Sequence, residues 1–340
     1  MRWQRRNRIL PLLLLSTFLL LYNRTDLTKP TRHLVESTPN TTRVTWQRPN
    51  VDVLVKTYVG DAHWLISSLR SLEVYGQLFR NVIVVFPNYE EEYFRTFLID
   101  HRESPLGFNL NLVLISQQEV IPVGYVQQSY SKLHADEYSD ADAFYIFDSD
   151  AILVRTVTWE DLYDNDKLLV RYLYWNEVSE DHQKWRERTE AAIGITGNRT
   201  YMVMMGQIYP REAFVGVRKS IEELNNMSLR DFYLQEVCPK RRSLPHPVEF
   251  ELHGLWLSKY GRKNIKFIHR NDDKTQYVQV VKQAWSWGGY DPMKVINNEC
   301  HLRKYNNKCE LLKSPCDIQV GAGCQLLHDD QRKPSCPTHK

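Results

Sequence analysis

Apart from one stretch near its start, this 340-residue chain has no long apolar run. It also lacks a strong charge of either sign. Forty-four Lys and Arg against 41 Asp and Glu leave a formal charge of +3, too little to mark a nucleic-acid partner. Cysteine is missing until Cys238, and the other five (Cys300, Cys309, Cys316, Cys324, Cys336) crowd the last 41 residues. No two of them have Cys-x-x-Cys spacing, which argues against zinc. Six cysteines instead predict a disulfide-braced tail, with Cys238 reaching to it from the body. There is no internal repeat.

What the chain does have begins with four arginines, Arg2, Arg5, Arg6 and Arg8, followed by the apolar run Ile9 to Tyr22. Fourteen residues fall short of the ~20 that cross a bilayer comfortably. A cleaved signal peptide and an uncleaved signal anchor both fit. The run ends without the small residues that a signal peptidase prefers, which favours the anchor. The arginines would stay cytoplasmic and the rest would enter the lumen. Asn23-Arg-Thr, Asn40-Thr-Thr, Asn198-Arg-Thr and Asn226-Met-Ser match the N-glycosylation pattern. The expected organisation is a cytoplasmic tail (1–8), an anchor (9–22), a polar stem (23–49), a folded domain (50–295) and a Cys-rich tail (296–340).

From Val51 the pattern is that of an α/β domain. Val51 to Val55, Asn81 to Pro87, Leu110 to Ser116 and FYIFD (Phe144 to Asp148) read as strands covered on both faces. Between them lie a helix capped by Asp61 and ended by Gly76, an acidic helix from about Glu90 to His101, and a helix from Gln127 to Tyr138. This alternation predicts a mostly parallel sheet sandwiched by helices. Further strands are expected at 168–174, 201–205 and 264–269, and helices at 210–224, 229–238 and 249–260.

Asp148-Ser149-Asp150 ends the fourth of these strands. Ligands bind beyond the carboxyl ends of strands in such sheets, so Lys56 to Asp61 and Asp148 to Asp150 share one rim. Two hard carboxylates at this spacing suit Mn²⁺ or Mg²⁺, which also takes phosphate oxygens and water. A plain turn is the competing explanation.

The segments VDVLVKTYVGD, GYVQQSYSKLHAD, FYIFDSDAILV, YMVMMGQIYPREAF, VEFELHG and AWSWGG, from Val51 to about Pro292, resemble the GT-A glycosyltransferases. The resemblance implies a nucleoside diphosphate sugar as donor and a glycan or glycoprotein hydroxyl as acceptor. It implies Mn²⁺ or Mg²⁺ on Asp148 and Asp150, with His269 as a third ligand. Lys56, Thr57, Tyr58, Asp61, Gln128, Lys132, Asp148 and Ser149 become candidates for the nucleotide-sugar pocket. Glu249 is the expected catalytic base, with Glu251 as competitor, and Trp285 and Trp287 could stack on a sugar. Where this segment of the family often has a small polar residue and an Asn, this chain has Val248 and Glu251. With the N-terminal anchor, the resemblance implies a Golgi type II membrane protein. Two alternatives stand: a haloacid-dehalogenase-type phosphatase, and a non-catalytic glycan-binding protein on the same fold.

Overall fold

The computed structural model describes residues 47–103, 108–121, 124–203, 206–239, 246–261, 263–273 and 281–283. The apolar segments near the start of the domain form strands. The first two are buried on both faces, and the third (Leu112–Gln117), at the sheet edge, is only half-buried where full cover was expected. In β1 (Val51–Lys56) and β2 (Val82–Pro87) every residue is buried. Helix α1 (Ala62–Tyr75) joins them, and α2 (Glu91–Glu103) leads to β3 (Leu112–Gln117). The segment expected as one helix over 127–138 is two, α3 (Gly124–Lys132) and α4 (Ala135–Tyr138). Strand β4 (Ala143–Asp148) then runs to Asp-Ser-Asp, and β5 (Ala151–Leu153) follows at once.

Beyond a short α5 (Trp159–Leu162), β6 (Tyr163–Asp164) turns into the long β7 (Lys167–Tyr174). Helix α6 (Glu180–Ile193), β8 (Arg199–Thr200), β9 (Gln207–Pro210) and α7 (Arg211–Asn225) come next. The stretch expected as one helix over 229–238 is α8 (Leu229–Phe232) followed by a π-helical turn, Tyr233–Val237. Helix α9 (Glu249–Tyr260), β10 (Ile265–His269) and β11 (Val281–Gln283) complete the described chain. The strand expected over 201–205 is absent from Tyr201 to Val203; β9 begins later, at Gln207.

The central sheet has the order β3-β2-β1-β4-β9. Its first four strands are parallel and β9 runs antiparallel to β4. The parallel α/β expectation therefore holds for the core, with one reversed strand at the edge. A second sheet has the order β10-β7-β6, with β8 also on β7, and β11 pairs with β5. In the central sheet, chain order reverses between β1 and β4, the kind of switch point where α/β sheets open a ligand crevice. At that point Lys56 and Asp148 are partners in register.

The far end of the same strand pair is pinned by Asp52, buried in β1, which receives two hydrogen bonds from the Arg80 guanidinium (3.0 and 2.9 Å). Cys238, just past the π turn, is buried and disulfide-bonded. The other five cysteines, and with them the expected braced tail, lie outside the described residues, as does the apolar run Ile9 to Tyr22. Among the described residues no helix is long and apolar enough to cross a membrane.

Candidate active site

Lys132 closes α3, and its side chain points inward, only 2% exposed. A buried ammonium needs carboxylate partners. It has two: Asp148 Oδ1 at 2.7 Å and Glu249 Oε1 at 2.8 Å. One comes from the end of β4 and the other from the first turn of α9. The Phe250 ring lies 5.3 Å from the ammonium. Three elements thus meet on one cation, α9 from more than a hundred residues downstream of α3 and β4.

Glu249 is held on its other side as well. Ser129, three residues before Lys132 and so on the same helix face, donates to Glu249 Oε2 at 2.5 Å. Ser129 Oγ also lies 3.5 Å from His246 Nε2, and Tyr125 meets the His246 ring edge-on at 4.6 Å. Burial works against the Glu249 charge, but Lys132 and Ser129 outweigh it and hold its carboxyl at about 2. Burial likewise opposes the Lys132 ammonium, and Asp148 and Glu249 override it, so its affinity for the proton is raised. At Asp148 burial wins: its carboxyl is raised despite Lys132, and the neighbouring Asp150 adds to the rise.

Beyond β4, Ser149 donates to Asp61 Oδ2 at 2.9 Å. Asp61 sits at the N-cap of α1, as expected, yet its carboxylate serves Ser149 and not the helix amides. Asp150 is buried. Asp61, Asp148, Asp150 and Glu249 stand against Lys132, an excess of negative charge that suits a divalent cation. The third ligand expected for it is elsewhere. His269 ends β10, in the second sheet, where its Nε2 is 2.8 Å from Glu177 and its ring stacks on Tyr174 at 5.5 Å. Among the described residues no group of three or more His, Cys, Asp and Glu forms a metal cluster. What Asp148 and Asp150 offer is two carboxylates to an ion that phosphate oxygens and water would complete, a usual arrangement for Mg²⁺.

The other candidates are distributed along the same rim. Tyr58 is 51% exposed beyond β1, while Thr57 is buried with its amide on Val85 O at 2.9 Å. Lys56, expected to meet a phosphate, is buried with Glu119 Oε1 3.6 Å away; burial lowers its proton affinity more than Glu119 and Glu90 raise it. Gln128 is half-buried one turn before Lys132. Glu251, the competitor for Glu249, faces the opposite way. It receives the amides of Tyr201 (3.0 Å) and Met202 (2.9 Å) and the Thr200 hydroxyl. Burial, the main effect, pushes its carboxyl up to about 7. Trp285 and Trp287 lie outside the described residues. Ser129 and His246 were missed in the sequence, where nothing sets them apart from other polar residues.

No family model matches this chain, and no curated protein matches it. Among solved structures it is similar to the galactosyltransferase LgtC in complex with donor and acceptor sugar analogues. The identity is 11%, over 77% of this chain and 98% of that one, with a TM-score of 0.44. An active-site mutant of LgtC gives 12% identity with the same coverage and TM-score. The glycosyltransferase GlyE of Streptococcus pneumoniae TIGR4 is similar at 10% identity over 77% of this chain and 64% of that one, with a TM-score of 0.39. Likenesses this slight decide nothing about chemistry, which rests on the chain's own residues.

Proposed function

We propose that this chain is a metal-dependent glycosyltransferase. It would move a sugar from a nucleoside diphosphate donor to a hydroxyl of a glycan or glycoprotein. In this reading it works in the secretory pathway as a Golgi type II protein with its catalytic domain in the lumen. The observation that carries the chemical reading is the buried Lys132 joining Asp148 to Glu249 at the switch point of the sheet. Such a constellation spends buried charge on geometry, which a plain turn at Asp148 to Asp150 does not require.

Thr57 and Tyr58 would meet the nucleoside, and Asp148 and Asp150 a divalent cation on the diphosphate. A cation there would neutralise the leaving diphosphate as the anomeric C–O bond breaks. The residues of the chain fix its setting. Lys132 holds Asp148 in one orientation, and Ser149 ties the strand end to Asp61.

Glu249 takes a different role from the expected base. A carboxyl near 2 is a weak proton acceptor, since effective bases titrate close to the working pH. With Lys132 and Ser129 on its two oxygens it acts as a positioning residue. Glu249→Gln should lower kcat roughly a hundredfold, the cost of a displaced site. The acidic limb of the kcat/KM profile should stay where it is. If that limb disappears in the variant, Glu249 is the base after all.

The function itself is tested with the purified full-length chain and a panel of nucleotide sugars, with and without Mn²⁺. Donor turnover that depends on Mn²⁺ is expected. Asp150→Ala should lose Mn²⁺-dependent UDP or GDP binding while its unfolding midpoint holds. Unchanged nucleotide affinity in that variant would refute the metal role. Cleavage of p-nitrophenyl phosphate through an aspartyl-phosphate would establish the phosphatase alternative instead.

A further inference from the structure

The turn after β7, the first half of α6 and Asn198 line an open cleft of about 520 Å³, its residues being Tyr174, Trp175, Asn176, Gln183, Arg186 and Asn198. None of these residues belongs to the Lys132 cluster. The volume is in the range of small-molecule sites. Two of the six are aromatic: Tyr174 is 37% exposed, and Trp175 forms a buried wall. The Trp175 indole nitrogen is closed off from solvent and has no hydrogen-bond partner. A donor left this way costs about 1–3 kcal/mol.

Three lining residues are amides, Asn176, Gln183 and Asn198, each able to donate and accept. Gln183 is held by its Nε2, which donates to Trp175 O at 3.0 Å. Among the lining residues only Arg186 is charged, and its charge is already matched. It donates to Glu190 Oε1 (2.9 Å) and Gly197 O (2.7 Å), while its guanidinium carbon lies 5.6 Å from the centre of the Trp175 ring. Glu177 sits at the same turn, accepting from the Tyr174 amide at 2.7 Å. An anion would therefore gain little here. A ligand with apolar faces and many neutral hydroxyls fits better.

We propose that this cleft binds a neutral carbohydrate, its ring against Tyr174 and Trp175 and its hydroxyls on the amides of Asn176 and Gln183. The C–H faces of a pyranose suit aromatic rings, whose own faces are apolar and electron-rich.

The test uses the full-length protein, made in a host without N-glycosylation so that Asn198 carries no sugar. Methyl glycosides of mannose, galactose and N-acetylglucosamine are titrated in turn, with inorganic phosphate as the control. The signal is the Trp175 indole N–H resonance, assigned by its loss in Trp175→Phe. A saturable shift with at least one glycoside, and none with phosphate, is expected. Gln183→Ala, at an exposed position, should weaken binding roughly two- to tenfold with an unchanged unfolding midpoint, the worth of one net hydrogen bond. Trp175→Phe, followed by calorimetry, should weaken it similarly; if that variant fails to fold, Gln183→Ala decides alone. No saturable shift with any glycoside, unchanged affinity in Gln183→Ala, or a larger response to phosphate would overturn the proposal.

Discussion

Lys132 is buried and holds two carboxylates from different elements at once. Replacing it by Met would strand Asp148 and Glu249 in the interior without their cation, a loss of about 3–5 kcal/mol. Urea unfolding of Lys132→Met against wild type measures it. Glu249 makes a second prediction. Its native carboxyl is depressed, so its stabilisation is fully present above the unfolded value of 4.5 and is lost as pH falls through about 2. The size is about 3 kcal/mol. The stability gap between wild type and Glu249→Gln should therefore shrink as pH falls through that window. Asp148 and Asp150 were legible in the sequence because an apolar strand delivers them to a rim. Lys132 was legible only as half of an i,i+4 pair with Gln128. Ser129 was not, because its partner Glu249 is supplied by a helix more than a hundred residues downstream.

At the scale of elements, α9 does two jobs with one turn. Glu249 faces Lys132, while Glu251 and Gly254, three residues apart, face the segment after β8. Glu251 takes the amides of Tyr201 and Met202, which therefore cannot join a sheet ladder. That is the physical reason no strand runs through Tyr201 to Val203. A Cβ on Gly254 would lie 1.9 Å from Tyr201 Cγ. Gly254→Ala should thus cost about 1–3 kcal/mol through overpacking, read from the unfolding midpoint. Glu251 has the opposite pH sign to Glu249. Its native carboxyl is raised, so stability should fall as pH rises from 4.5 through about 7. Glu251→Gln should flatten the melting temperature over that interval. The break between α3 and α4 was equally hidden from the sequence. The chain tightens there, His134 N donating to Ser131 O at 3.1 Å, and Arg218 takes the freed Leu133 carbonyl at 2.6 Å. No local signal announces an arginine that arrives from α7.

For the whole molecule, the parallel half was readable because a sheet covered on both faces leaves continuous apolar runs. In the second sheet the strands β7 and β10 were read, over 168–174 and 264–269, but their pairing was not, since it joins segments far apart in sequence. Hence His269 reads, by position alone, as a candidate for the Asp-Ser-Asp rim, yet it belongs with Glu177 and Tyr174. Described residues from 47 onward fall in one compact unit, Trp46–Lys340, and the register of β1 with β4 fixes the site within it. The pairing of β11 with β5 carries one more consequence. Val281 faces Leu153 and Gln283 faces Ala151, the residue that follows Asp150. A protease that nicked the chain between 273 and 281 would cut far from the motif in sequence and still loosen the strand that leaves it. Amide exchange at Ala151 to Leu153 should quicken before any change reaches β1. The durability of the carboxylate pair is thus entrusted to a stitch made late in the chain.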